Sequence, residues 1–388
     1  MRKIISILVC VVMLALLGGC GGQTQTGQKP ETKNEPKKLK IVTTIFPIYD
    51  WTSEILGSEA SKVDLTMLLK SGVDMHSYQP TADDLVKLSS CDVLIYVGGE
   101  SDKWVEDARK EAVNKNMVVL RLMDVLGDRL KHEEEIEGME AHHHHEHDHD
   151  GHKHEDHDKD GHGRHEEPAD HKHEEHKDEG HKHEEHKHDD HDKHDHDKHD
   201  HDKDGHEHHD EYDEHIWLSL KNAKLCVDAI ADALARADAS HAQAYKDNAA
   251  AYGAKISALD KEYEAAVAAS PKKTLLFGDR FPFRYLVDDY GLKYYAAFPG
   301  CSAETEASFE TIAFLSAKLD ELKLPAILTI EGSSRKVAET ILYNTPTHDQ
   351  KILVLDSMQS TVGDKAAYGQ NYLAVMRKNL EVLKEALR

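Results

Sequence analysis

The 388 residues carry 73 Asp and Glu against 48 Lys and Arg, a formal charge of −25 at pH 7. That balance argues against a nucleic-acid partner, which would require a basic patch. Residues 133–214 alone hold 34 acids against 10 bases, a net −24, so the acidity is local and the remaining body is close to neutral.

At the N-terminus, Met1, Arg2 and Lys3 precede an apolar run from Ile4 to Leu17. The run is too short for a bilayer span, which takes about 20 apolar residues. It ends in Leu17-Gly18-Gly19-Cys20, which resembles a bacterial lipobox. The expectation is a signal peptide over 1–19, acylation of Cys20, and a flexible lipid-anchored tether over 20–38. Cys91, Cys226 and Cys301 then remain, an odd number without zinc-finger spacing. Cys91 and Cys226 lie in apolar surroundings and are expected in the core.

From Leu39 the chain alternates strand-like and helix-like segments. LKIVTTI, VDLTMLL, CDVLIYVGG and MVVLRL read as strands, with helices over IYDWTSEILG, TADDLVKLSSC and SDKWVEDARKEAV. Continuous apolar runs inside the strands predict a parallel sheet covered on both faces. This first lobe is assigned residues 39–131 together with 212–239.

Between them lies a tract of unusual composition. Of 31 histidines, 26 fall between His142 and His209, interleaved with acids and lysines and opening as His142, His143, His144, His145, His147 and His149. Apolar residues are almost absent, so residues 132–211 are expected to be a disordered loop. Imidazole and carboxylate are ligands for borderline divalent cations, which makes the tract a multidentate, low-affinity metal collector. HKHEEHK occurs at 171–177 and again at 181–187, copies that place little demand on position.

After the tract, IWLSLKNAKLCVDAIADALARA reads as an amphipathic helix. Residues 240–269 form a second helical stretch that Pro271 ends; about 30 residues would extend about 45 Å, long enough to bridge two lobes. The second lobe, 270–388, repeats the alternation: strands TLLF, LKYYAAF, PAILTI and KILVLD, each followed by a helix. The predicted fold is α/β, with two lobes, each a parallel sheet flanked by helices, joined by a long linking helix.

Ligands of open parallel sheets bind beyond the carboxyl ends of strands. His76 follows VDLTMLL, Asp279 follows TLLFG, Glu331 follows PAILTI, Asp356 follows KILVL, and His215 stands where the tract re-enters the body. Two neutral imidazoles with one or two carboxylates suit Zn²⁺, and tolerate Mn²⁺ or Fe²⁺. Trp51, Tyr78, Trp104 and Trp217 are candidate walls of a dry cleft, each also suited to the core. Protonation of the imidazoles near pH 6 is expected to weaken binding. No phosphate-cradling glycine loop, nucleophile–base pair or hydrolase motif is evident, so the chain is not read as an enzyme.

The segment GVDMHSYQPTADDLVKLSSCDVLIYVGGESDKWV resembles the first-ligand region of cluster A-I binding proteins, with its His-x-Tyr-x-Pro-Thr-x-x-Asp pattern. These are the zinc and manganese receptors of ABC importers. EHIWLSL resembles their second-ligand region, His-x-Trp-Leu, placed directly after a His-rich loop. The resemblance covers Leu39 to the C-terminus. It implies His76 and His215 as ligands, a rigid linking helix, and Asp356 of LDSMQS as the fourth ligand. The third ligand of that family, ten residues before the Tyr of Tyr290-Gly-Leu, falls on Arg280, whose guanidinium has no lone pair to offer a metal. Asp279, Glu304, Glu306, Glu331 or a tract histidine is left to replace it, with Arg280 pairing one of those acids.

The resulting expectation is a monomeric lipoprotein held on the outer face of the cell membrane. It captures Zn²⁺ as cargo between its lobes and passes it to an ABC permease and its ATPase. The alternatives are a manganese or other divalent-metal receptor of the same type, or a surface metal-buffering protein without a transporter.

Overall fold

The computed structural model describes residues 38–70, 72–140, 212–302, 306–360 and 371–388. The expected signal peptide, Cys20, its tether, nearly all of the histidine tract and Glu304 lie outside the described residues.

Two four-stranded parallel sheets are present. The first, in order β2-β1-β3-β4, comprises β1 (Leu39–Thr43), β2 (Val63–Met67), β3 (Val93–Tyr96) and β4 (Val118–Arg121). The second, in order β6-β5-β7-β8, comprises β5 (Thr274–Phe281), β6 (Lys293–Pro299), β7 (Ala326–Thr329) and β8 (Lys351–Val354). β3 and β7, VLIY and AILT, are buried at every position, as strands covered on both faces must be.

Helices α1 (Phe46–Leu56), α2 (Ala82–Ser90), α3 (Lys103–Lys110), α4 (Leu122–Leu126) and α5 (Leu220–Ala237) belong to the first lobe. α2 starts where it does because Thr81 and Asp84 form a reciprocal capping box that satisfies two otherwise orphaned N–H groups. Cys91 was expected to open a strand. It is instead the residue that ends α2, with its thiol buried and β3 beginning two residues later.

The linking helix α6 (Ala242–Ala269) has 28 residues, about 42 Å at 1.5 Å per residue. Tyr245, Ala249, Tyr252, Ile256, Leu259 and Tyr263 recur at spacings of three and four, so one stripe is buried along its length. Tyr252 donates to Asp50 on α1, and Tyr263 donates to the Met376 carbonyl on the C-terminal helix α10 (Tyr372–Ala386). One helix is therefore fixed to both lobes. α7 (Arg284–Tyr290), α8 (Phe309–Glu321) and α9 (Lys336–Tyr343) complete the second lobe. Buried apolar residues of both lobes and of α6 form one continuous core, with a smaller cluster under α8 and α9.

The expected strand TLLF is longer than its apolar run. β5 continues through Gly278-Asp279-Arg280-Phe281 by way of a register irregularity between Phe277 and Arg280. Asp279 and Arg280 therefore lie within the strand, beside β6, where the sequence pattern pointed to a strand end.

Candidate metal centre

The loop after β2 tightens into a single 3-10 turn, Met75–Ser77, capped by Asp74, whose Oδ1 accepts the His76 backbone N–H at 3.0 Å. The His-x-Tyr-x-Pro-Thr-x-x-Asp pattern has a local physical basis. Tyr78 donates to Asp84 at 2.9 Å, and Asp84 is the acid of the α2 capping box, so the pattern ties the His76 turn to the start of a helix.

His215 is fully buried and heads a second 3-10 turn, Ile216–Leu218. His132 and Tyr212, on either side of the undescribed residues 141–211, form an antiparallel bridge with their rings stacked 4.4 Å apart. The chain then runs directly into Asp213, Glu214 and His215. Trp217 packs edge-on against His215 and donates to the Ser357 carbonyl at 2.8 Å, while Tyr372 donates to the Trp217 carbonyl at 2.7 Å. The His-x-Trp-Leu motif is thereby pinned to the second lobe next to the LDSMQS segment.

The two imidazoles, 139 positions apart in the chain, meet with Nε2 facing Nε2 at 3.2 Å. Their other nitrogens determine what faces across that gap. His215 Nδ1 lies 2.9 Å from Asp213 Oδ1 and donates to it. His76 Nδ1 lies 2.8 Å from Ser101 Oγ, and the same hydroxyl lies 2.6 Å from Glu214 Oε1, so the three groups form one chain behind the ring. With Nδ1 of each ring engaged by an oxygen, the two Nε2 atoms face each other, and a neutral ring protonated on Nδ1 would turn an Nε2 lone pair into the gap. Two lone pairs placed in that way can share a cation. With Zn–N bonds of about 2.0–2.1 Å, a tetrahedral N···N edge is about 3.3 Å, close to the observed separation. Carboxylates and hydroxyls behind the rings are the support that metal-ligating histidines use.

Burial, together with the neighbouring His215, pushes the His76 imidazole down to about 3. For His215 burial also favours the neutral ring, but the Asp213 carboxylate outweighs it and the net direction is upward. The two rings are thus shifted in opposite directions, His76 toward the neutral form and His215 toward the protonated one. Burial raises Glu214 to about 7 against the opposing pull of His215 and Ser101. Asp102, fully enclosed and raised by burial to about 6, accepts the Val97 and Gly98 N–H groups and shapes the loop that carries Ser101.

The remaining predicted site residues are arranged differently. Asp279 accepts its neighbour's N–H at Arg280 and the Ile330 N–H, at 2.9 and 3.2 Å, and so joins β5 to the end of β7. Glu331 is enclosed by the Ser357 N–H and hydroxyl and the Gln359 N–H, and Asp356 accepts the Met358 N–H. Burial raises both acids, and the proximity of Asp356 helps bring Glu331 to about 7. Glu306 is exposed. Arg280 was expected to pair an acid among Asp279, Glu304, Glu306 and Glu331; its guanidinium instead reaches Asp74 Oδ2 across the cleft at 2.5 Å. Of the aromatic wall, Trp217 borders His215, whereas Trp51 is core, packed edge-on against Tyr372.

Among the described residues, one group of three side chains places a donor atom from each within 4.8 Å of the others: His76, His215 and Cys301. Asp279 and Asp356 are not in it. Sequence reading missed Cys301, Ser101, Asp213 and Glu214. Cys301 follows β6 by two residues, and the strand-end rule that selected the acids applies to it equally.

Two α/β lobes on one linking helix, with an imidazole pair of one buried and one largely enclosed ring, define the class of two-lobed metal-binding proteins. The chain belongs to the ZnuA family, described as zinc-uptake complex component A, periplasmic, whose model matches residues 41–386. Relatives include the zinc-binding protein AdcA of Streptococcus pyogenes, 28% identical over 89% of this chain and 56% of its own length. The high-affinity zinc uptake system protein ZnuA of Bacillus subtilis is 25% identical over 100% of this chain and 98% of that protein. The chain spans 56–61% of the length of the AdcA relatives it matches. The same fold is seen in the metal-dependent lipoprotein YcdH of B. subtilis, with a TM-score of 0.61 at 23% identity over 90% of this chain and 99% of that one. It recurs in the Zn(II)-bound ZnuA-like domain of Streptococcus pneumoniae AdcA, with a TM-score of 0.59 at 23% identity over 90% and 99%.

Proposed function

We propose that the protein is an extracytoplasmic zinc receptor that captures Zn²⁺ as cargo between its lobes and delivers it to an ABC permease driven by its ATPase, with no catalytic turnover of its own. The observation that carries this reading is the His76–His215 pair, with the two Nε2 atoms 3.2 Å apart and the Nδ1 of each ring held by an oxygen partner. Relatives named for zinc binding and zinc uptake support the choice of metal. In this reading the chain is a monomer anchored through Cys20 to the outer face of the membrane. The histidine tract gathers zinc weakly and raises its concentration near the cleft, a gain that tethering alone supplies.

The test is a chelator-competition titration of the full chain and of the His76→Ala/His215→Ala double variant. The wild type should show one tight zinc site above a weaker class, and the double variant should keep only the weaker class. A tight site that survives both substitutions rules out the cleft as the receptor site.

A further inference from the structure

The family pattern places a third donor from the second lobe at the position of Arg280, and a guanidinium cannot serve. The structure shows what the second lobe offers in its place. β5 and β6 pair with Arg280 opposite Phe298 and Phe281 opposite Pro299, so the residues just past Pro299 emerge beside Arg280 at the same end of the sheet. Gly300 brings that end against the first-lobe ligand: a Cβ there would stand 3.3 Å from His215 Cε1 and 2.9 Å from the Phe281 carbonyl oxygen. Cys301 comes next. Its backbone N–H is held by Glu133 at 2.9 Å, and its Sγ lies 3.8 Å from Glu214 Oε1. Its donor atom completes the three-residue group with His76 and His215.

We propose that Cys301 is the third zinc ligand, so that this receptor binds its cargo through two imidazole nitrogens and one thiolate. The proposal rests on the zinc-receptor reading and specifies its donor set. In a tetrahedral site with Zn–S of about 2.3 Å and Zn–N of about 2.0–2.1 Å, sulfur stands about 3.6 Å from each nitrogen. The three donor atoms already lie within 4.8 Å of one another, so the group would draw in by little more than about an ångström on binding. On binding, the S–H bond of Cys301 breaks, the Sγ–Zn bond forms, and one proton leaves to solvent; no electron is transferred. Arg280, held by Asp74 and by the Ser302 carbonyl at 3.5 Å, occupies the vacated β5 position without competing for the ion. The exchange of a nitrogen or oxygen donor for sulfur alters selectivity. A soft thiolate favours Zn²⁺ over Mn²⁺, whose preference is for oxygen donors. Cys301 is thus a specificity-determining residue as well as a ligand.

Cobalt(II) substitution of the full chain under reducing conditions tests this, because cobalt–thiolate bonds give a sulfur-to-metal charge-transfer band in the near ultraviolet. Residues 141–211 contain no cysteine, so metal held by the tract gives no such band. One equivalent of Co²⁺ should produce the band in the wild type, and Cys301→Ser should lack it. The same variant should lose zinc affinity by at least about tenfold, a loss that even groups behind the ligands can cause, and its zinc-to-manganese affinity ratio should fall. X-ray absorption at the zinc edge of the wild type gives a readout independent of any variant, with one sulfur expected at about 2.3 Å. Tight zinc binding with nitrogen and oxygen scatterers only, or a charge-transfer band that persists in Cys301→Ser, overturns the sulfur ligand and leaves the receptor reading intact. Absence of any tight site in the wild type overturns both.

Discussion

The carboxylate of Asp74 on the first lobe meets the guanidinium of Arg280 on the second, Oδ2 to Nη2, at 2.5 Å. The other Asp74 oxygen caps the turn that carries His76, so an interlobe ion pair and the orientation of a proposed ligand share one side chain. Burial opposes the charge on Asp74, but the bond from Arg280 outweighs it and holds the carboxyl below its usual range. Arg280→Met would leave Asp74 half-buried without its cation and loosen the His76 turn. Zinc affinity should fall roughly tenfold, as for other groups that hold a ligand from behind, with little change in melting temperature. Chelator competition on the purified variant reads this directly; unchanged affinity would mean that the pair has no bearing on the site.

Gly300 is required for close approach. A methyl group there meets the Phe281 carbonyl at 2.9 Å, which neither strand can yield cheaply, and crowds the His215 ring at 3.3 Å. Gly300→Ala should destabilise the second lobe by about 1–3 kcal/mol, the usual cost of overpacking, and should weaken zinc binding by displacing the end of β6. Thermal unfolding and metal titration of the same sample separate the two effects. A variant that melts and binds as the wild type does would show that the strand end adjusts freely.

Deleting residues 142–209 should leave the tight site in place while the number of weakly bound zinc ions falls. The flanks are already joined, by the His132–Tyr212 bridge, and the outgoing segment is tied to the second lobe through Glu134 to Arg284 and the Glu140 N–H to the Ala297 carbonyl. Isothermal titration of the shortened chain gives both stoichiometry and affinity. Loss of the tight class on deletion would mean that the tract supplies a ligand to the cleft.

Acid stability has a contributor outside the candidate metal centre. Asp238, just after α5, accepts bonds from Ser240, His241 and Tyr245, which outweigh the effect of its partial burial and lower its carboxyl to about 2. A depressed carboxyl stabilises the fold where it is ionised in both states. Its contribution is therefore complete above about pH 4 and disappears as the pH falls toward 2. After solvent screening it amounts to about 1 kcal/mol at most. Melting temperatures of the wild type and Asp238→Asn should differ at pH 5 and converge near pH 2, and a constant difference across that range would remove Asp238 from the account.

How much was legible in advance depended on how local each signal is. The His76 motif was readable because its members hold one another: Tyr78, Thr81 and Asp84 form a closed arrangement within seven residues. The His215 motif was readable as a string, although the partners of Trp217, at Ser357 and Tyr372, lie 140 and 155 positions away. Alternating apolar runs foretold two parallel sheets, because burial on both faces leaves no polar periodicity to hide the strands. The length of α6 foretold a connection between lobes. Cys91 was placed correctly in the core and incorrectly in a strand, since an apolar residue at a helix end and one at a strand start look alike in one dimension.

The amino-acid sequence by itself determined the class of fold and the acidic tract, which rest on periodicity and composition, and through a family resemblance it singled out two histidines and the departure at position 280. Only the tertiary structure decided which groups face the histidines. Continuation of β5 past its apolar run, with an irregularity in register, directs Asp279 to Ile330 and Arg280 to Asp74, while Gly300 lets Cys301 approach. Contacts between segments about 50 to 200 residues apart depend on strand register and close packing, and no short window of sequence contains either.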